Sequence, residues 1–139
     1  MTTDHAYLEI PEENIALMEA YGANNKEPIV MVNLMKIREI AQYEDTSVTG
    51  CSGYEAFARY TKGSSEVRLK SGAELIWSGK AHQMPIGPSE KGWDMIALVS
   101  YPNVKAYLTM KATEAYQAAR VHRRAALYDS RLIMTTPNQ

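Results

Sequence analysis

Apolar residues along this chain gather in short blocks with two different periods. Ile29-Val30-Met31-Val32-Asn33-Leu34-Met35-Lys36 is apolar on both alternations, and so is Trp93 to Tyr101 apart from Asp94 and Ser100. Runs of this length bounded by turn residues read as strands. A third strand, Ala73 to Ala81, centres on Leu75, Ile76 and Trp77, and a fourth covers Ser130 to Met134. The helical period lies between them. Ile10-Pro11-Glu12-Glu13-Asn14 opens a helix over about 11–22, with Leu17, Met18 and Tyr21 on its apolar side and Gly22 as its stop. Ser52 caps a second helix, whose apolar side is read as Tyr54, Phe57, Ala58 and Thr61, running on to Leu69 before Gly72 ends it. Gly63 and Ser64-Ser65 in its middle are weak helix formers and leave its continuity open. After Pro102-Asn103 comes an alanine-rich helical stretch reaching Tyr128.

The order is helix, strand-helix-strand, strand-helix-strand. Two crossover units of this kind predict an α+β, ferredoxin-like βαββαβ fold: an antiparallel four-stranded sheet with both crossover helices on one face, an extra N-terminal helix, and a core over about 28–137. The chain reads as a single domain over 1–139, with no internal repeat or linker. A sheet with one wet face alternates apolar and polar residues. These strands do not alternate, so something must cover the second face, and a twofold partner laying its own sheet there is the economical answer. The expectation is a homodimer that closes a dimeric α+β barrel.

Composition narrows the function classes. With 139 residues, 45% of them hydrophobic, the chain can bury one ordinary core. A formal net charge of −1 gives no general pull toward nucleic acid or an anionic membrane. Arg120 and Arg124 lie one turn apart in the basic cluster Arg120 to Arg124 and read as a solvated face. Cys51 is the only cysteine, so no internal disulfide can form, and a reducing, cytoplasmic compartment is expected. Met1-Thr2-Thr3-Asp4-His5 lacks the pattern of a signal peptide, and no apolar run is long enough to span a bilayer.

An ordered set of short segments carries a resemblance. Asn33-Leu34-Met35-Lys36 and Thr49-Gly50 are followed by Gly72-Ala73-Glu74-Leu75-Ile76-Trp77-Ser78-Gly79, Trp93-Asp94 and Tyr101-Pro102-Asn103. Tyr107-Leu108-Thr109-Met110, Tyr116-Gln117, His122-Arg123 and Ser130-Arg131-Leu132 complete the set. Together they resemble the domain-of-unknown-function 1330 family, a branch of the dimeric α+β barrel superfamily. The resemblance implies a ferredoxin-like homodimer and lends no catalytic residues. Superfamily analogy extends to cofactor-free monooxygenases, isomerases, dehydratases and haem enzymes.

Candidate chemistry centres on the alanine-rich helix. A turn of about 100° per residue groups Ala115, Ala118, Ala119, Ala125 and Ala126, with His122 at the centre of the stripe. The Trp93 strand and the stretch from Asn103 to His122 each span on the order of 25–30 Å, which would return His122 to the level of Asp94. An Asp94–His122 pair reads either as a general acid–base couple or as a polar lock between helix and sheet, with Arg123 as the competing partner of Asp94. His122, Asp94 and Arg123 are therefore the catalytic candidates. Asn33, Lys36, Tyr60, Trp77, Trp93, Tyr101 and Arg131 are the ligand-binding candidates, against the blander readings of core packing and solvated charge. Any pocket is expected between the sheet and the His122 helix, opening near Asn33 and Arg131. His5, His82 and His122 have no ligand spacing, and phosphate loops and nucleophile elbows are missing, so neither a metal nor another cofactor is expected. Three functions remain: a cofactor-independent enzyme or binder of a small, partly aromatic or oxygenated metabolite, a non-catalytic homodimeric binding module, and a haem enzyme.

Overall fold

The computed structural model describes residues 6–88 and 92–138, so His5 and the other terminal residues discussed above lie outside the described residues. Helix α1 (Glu12–Asn24) precedes β1 (Ile29–Ile37), α2 (Gly53–Lys70), β2 (Glu74–Lys80), β3 (Met95–Tyr101), α3 (Val104–Lys111), α4 (Glu114–Ala126) and β4 (Leu127–Thr135). Among the described residues these make one sheet in the order β2-β3-β1-β4, with all neighbours antiparallel. Read from the other edge this is 4-1-3-2, the ferredoxin-like order that two crossovers, β1-α2-β2 and β3-α3-α4-β4, generate.

Alternate residues of β1 explain which face is the core. Ile29, Met31 and Met35 are almost wholly buried, whereas Val30, Val32 and Leu34 are only half-buried. Of the first set, Ile29 and Met31 pack in one core with Val99, Tyr101, Tyr107 and Tyr116. Register places Val32 opposite Leu98 on one side and Ile133 on the other, so the second set shares one apolar face with these residues. Edge strand β2 is exposed at Leu75, Ile76 and Trp77 (53–62%), and its register shifts between Leu75 and Trp77.

The helices depart from the sequence reading in instructive ways. Helix α1 runs through Gly22 to Asn24 because Gly22 serves close packing rather than termination. A Cβ there would lie 3.0 Å from the Val104 Cβ of α3. Helix α2 starts on the reciprocal capping box of Ser52 and Glu55 and is continuous through Gly63-Ser64-Ser65. Its inward face is Ala56, Phe57, Tyr60, Ser64 and Val67, while Tyr54, Ala58, Thr61 and Leu69 are exposed. The buried residues are small because α4 lies close: a Cβ on Gly63 would sit 3.3 Å from that of Ala119. Ser64 returns its hydroxyl to Tyr60 O (2.9 Å) and so needs no partner elsewhere.

The stretch after Pro102 is two helices, not one. Thr113 interrupts it, its hydroxyl donating to Met110 O (2.8 Å) and accepting from Tyr116 N (3.1 Å), so that it caps α4 as α3 ends. This break voids the length match between strand and helix on which the Asp94–His122 pairing rests. Helix α4 also stops two residues before Tyr128, and β4 begins directly at Leu127.

Candidate functional site

A cavity of about 590 Å³ lies between the helix-side face of the sheet and the helices. Its floor is Met31, Asn33 and Met35 of β1 with Met95, Ala97 and Val99 of β3, and Leu132 and Met134 of β4 extend it. Helix α2 supplies Phe57, Tyr60 and Arg68, and α3 and α4 supply Tyr107, Met110, Lys111, Tyr116, Arg120 and Arg123. The segment Tyr7 to Pro11 crosses one side. Several polar contacts hold this strap in place. Arg120 and Arg124 both bond the Glu9 carboxylate (2.7 and 3.1 Å), Arg123 donates to Leu8 O (3.1 Å), and the Ser130 hydroxyl donates to Tyr7 O. Arg120 and Arg124 are thus a clasp for the strap as well as a partly solvated pair.

Methionine and tyrosine give the cavity its character: adaptable thioethers on the floor and a hydroxyl-bearing aromatic wall above. Tyr60 and Tyr116 join hydroxyls at 3.2 Å, and the rings of Tyr101 and Tyr107 meet edge-on with centroids 4.9 Å apart. Burial pushes the Tyr101 hydroxyl up to about 12 and those of Tyr107 and Tyr116 higher still, so all three stay neutral donors at physiological pH. Lys111 is the contrasting group. Its Nζ lies 5.8 Å from the Tyr107 ring centroid and 5.5 Å from that of Tyr116, and among the described residues it makes no hydrogen bond or ion pair. Burial, then repulsion from Arg123, lowers its pKa to about 8 against a weaker opposing pull from Glu9.

Five of the candidate residues meet at this cavity: Asn33, Tyr60, Tyr101, Arg123 and Arg131. Asn33 makes only two long bonds to carbonyls, Met31 O (3.3 Å) and Ala97 O (3.4 Å). Arg131 is held by Asp129 (2.8 Å) between the rings of Tyr7 and Trp93, at 4.7 and 5.2 Å from their centroids. The other candidates lie elsewhere. Lys36 stacks on the Tyr128 ring at 5.1 Å outside the cavity, and Trp77 stands exposed on the edge strand. Trp93 precedes β3 and touches Arg131 from beyond the cavity lining.

Asp94 and His122 do not pair. The Asp94 carboxylate accepts from Ile37 N (2.7 Å), fixing the start of β3 against the end of β1. His122 sits on the side of α4 away from the cavity, where its Nδ1 bonds the Tyr43 hydroxyl at 2.6 Å. It is half-buried rather than central to a buried stripe: Ala119, Ala125 and Ala126 are buried, but Ala115 and Ala118 are exposed. Arg123 turns to Leu8 O instead of Asp94. Sequence reasoning missed Lys111, which falls in the middle of a stretch read as one helix and becomes a helix end only through the break at Thr113. The tyrosines at 107 and 116 flank it, and that cation between two aromatics was the available signal.

Among the described residues, no His, Cys or carboxylate cluster can hold a metal ion, and no helix is long and apolar enough to cross a membrane. No protein-family model matches the chain, and no curated protein matches it. Among solved structures, the chain is similar to the RPA0582 protein of unknown function from Rhodopseudomonas palustris, at 34% identity and a TM-score of 0.87, covering 96% of this chain and 98% of that one. A methylated form of RPA0582 superposes equally well, at 34% identity and a TM-score of 0.88, with 96% of each chain covered. The chain belongs to the family of this RPA0582 protein.

Proposed function

We propose that the protein is a cofactor-independent, cytoplasmic homodimer of the domain-of-unknown-function 1330 family that binds a small, partly aromatic or oxygenated metabolite in the cavity between sheet and helices. One observation carries the binding reading: about 590 Å³ of space is walled by methionine and tyrosine and punctuated by a few polar groups. Small-molecule sites are usually of this size and make-up. The haem reading looked to His122, and that residue faces Tyr43 rather than the cavity, so the binding reading is preferred. The candidate pair Asp94 and His122 lies outside the cavity, so the reading offered is of a binding site.

The homodimer reading rests on the other face of the sheet. Val30, Val32, Leu34, Ile96 and Leu98 are half-buried there, and Trp77 and Ile133 are about half exposed, so large apolar side chains gather on one face. A second copy laying the same face against it satisfies both chains at once. The buried, unpaired thiol of Cys51 supports a reducing compartment.

Native mass spectrometry of freshly purified protein tests both parts. The expected result is a dimer carrying one small organic adduct per protomer, released on denaturation and identified by accurate mass. A monomer would remove the dimer. The cavity assignment fails if the protein is bare and a neutral hydrophobic fluorophore such as N-phenyl-1-naphthylamine also gains no emission in its presence.

A further inference from the structure

The cavity is unbalanced in charge, and from that imbalance we propose that its ligand carries one carboxylate, bound beside Tyr116 by Lys111 and Arg123, with the apolar body lying on the methionine floor. This inference rests on the cavity being a ligand site, as argued above. Of the cations on its wall, Arg120 is neutralised by Glu9 and Arg131 by Asp129, at 2.7 and 2.8 Å. Arg68 bonds Ser64 Oγ and Thr61 O and lies over the Tyr60 ring on the α2 side. Lys111 and Arg123 are left over. Among the described residues, Arg123 spends one donor on Leu8 O and Lys111 spends none. Lys111 is half-buried, so its ammonium has given up part of its hydration without gaining an acceptor from the chain. The depressed pKa of Lys111 is what such a group shows while its acceptor is missing.

The chemistry of the wall selects a monoanion. Lys111 is the last residue of α3, where the carbonyl end of the helix disfavours dense negative charge, and Glu9 stands on the same side. Phosphate sites draw on backbone N–H groups at helix N-termini, whereas Lys111 Nζ stands at a helix C-terminus over the rings of Tyr107 and Tyr116. A carboxylate can take one bond from Lys111 and one or two from Arg123. Its aromatic or aliphatic chain then reaches across Met31, Met35 and Met95.

The test displaces N-phenyl-1-naphthylamine from the full-length protein at pH 7 with three ligands that share one body: 4-phenylbutanoate, 4-phenylbutanamide and phenylpropyl phosphate. The carboxylate is expected to displace the probe at about tenfold lower concentration than the amide, as one desolvated charge pair would give. Lys111→Met should erase that preference while leaving the amide unchanged, and Lys111→Arg should retain it. Probe binding to each variant reports that the cavity is intact. Equal affinity of carboxylate and amide overturns the inference while leaving the binding site standing, and a tighter phosphate overturns the choice of carboxylate. A preference that survives Lys111→Met overturns the role of Lys111. If the probe never enters the wild-type protein, the cavity reading fails and this inference with it.

Discussion

The two faces of the sheet are built from alternate residues of the same strands, yet one encloses space and the other presents an apolar plane. On the helix side, Met31 and Met35 are almost fully buried, but flexible thioethers and a ring of tyrosines leave a cavity rather than a solid core. On the opposite side, Val30, Val32, Leu34, Ile96 and Leu98 make an apolar plane, and the register sets Arg131 opposite Leu34 at its margin. Periodicity assigns residues to faces. Whether a face becomes a pocket or an interface depends on the shape and charge of those residues.

The largest expected effect is on the apolar face. Val32 lies between Leu98 and Ile133 in the register, at the centre of that plane. Val32→Asp would bury an unpaired carboxylate there if a partner sheet covers it, costing several kcal/mol. Sedimentation equilibrium should then show a monomer or unfolded chain in place of a dimer. The same substitution on an uncovered face would leave Val32→Asp soluble, folded and unchanged in mass, which would defeat the homodimer.

On the cavity face the next effect has the opposite sign. Lys111 faces Tyr107 on its own helix, Tyr116, Arg120 and Arg123 on α4, and Glu9 on the strap, and its pKa falls from 10.5 to about 8. Below about pH 8 both folded and unfolded chains hold the proton, so the full penalty of the charged form is present there. Between about 8 and 10.5 the folded chain binds fewer protons than the unfolded one, so stability from this group rises with pH across that window. Lys111→Met should therefore stabilise the ligand-free protein at pH 7, by on the order of 1–3 kcal/mol, with the gain vanishing above pH 10.5. Thermal melts at both pH values check it. A variant less stable than wild type at pH 7 would mean that the lysine is satisfied in the folded chain.

Asn33 should matter less. It is the one polar side chain among the inward residues of β1, and its bonds of 3.3 and 3.4 Å lie at the weak end of the range. Asn33→Leu should change stability by less than about 1 kcal/mol while weakening ligands that carry an oxygen near the floor. A loss well above that in chemical denaturation would show that Asn33 is a structural group.

How much of this was legible follows from what each residue's role depends on. Strands, their order and the open apolar face come from local period and from crossover geometry, both of which the sequence carries. The inward face of α2 was misread because its buried residues, Gly53, Ala56 and Ser64, are small: Gly53 lies against Arg38 and Ile37, and α4 comes close at Gly63. The candidate pair failed for a related reason. One threonine at 113 split a helix and shifted the level of everything after it, and the loop residue Tyr43 then supplied the partner for His122. Asn33, Tyr60, Tyr101 and Arg131, named for ligand binding, and Arg123, named as a partner for Asp94, all line the cavity, whereas Lys111 stood inside a stretch read as one helix and was not singled out.

The effect expected to leave ligand binding untouched sharpens the same contrast on α4, which turns Tyr116 and Arg123 to the cavity and His122 away from it. Arg59 donates to the Tyr43 oxygen at 3.4 Å, which leaves the phenol proton to point at Nδ1 and places the imidazole proton on Nε2. Burial, and then the Arg59 charge, lowers the His122 pKa from its ordinary 6.5. The folded chain is thus the poorer proton binder. This group's unfavourable term is absent at neutral pH and appears as pH falls below 6.5 toward the folded value. Arg59→Gln removes the second cause and should move the His122 titration upward in NMR, with no change in ligand affinity because His122 lies outside the cavity. Tyr43→Phe removes the donor, should move the titration the same way, and should cost about 0.5–1.5 kcal/mol. If either substitution instead lowers affinity for a cavity ligand severalfold, the two sides of α4 are coupled and His122 belongs to the site.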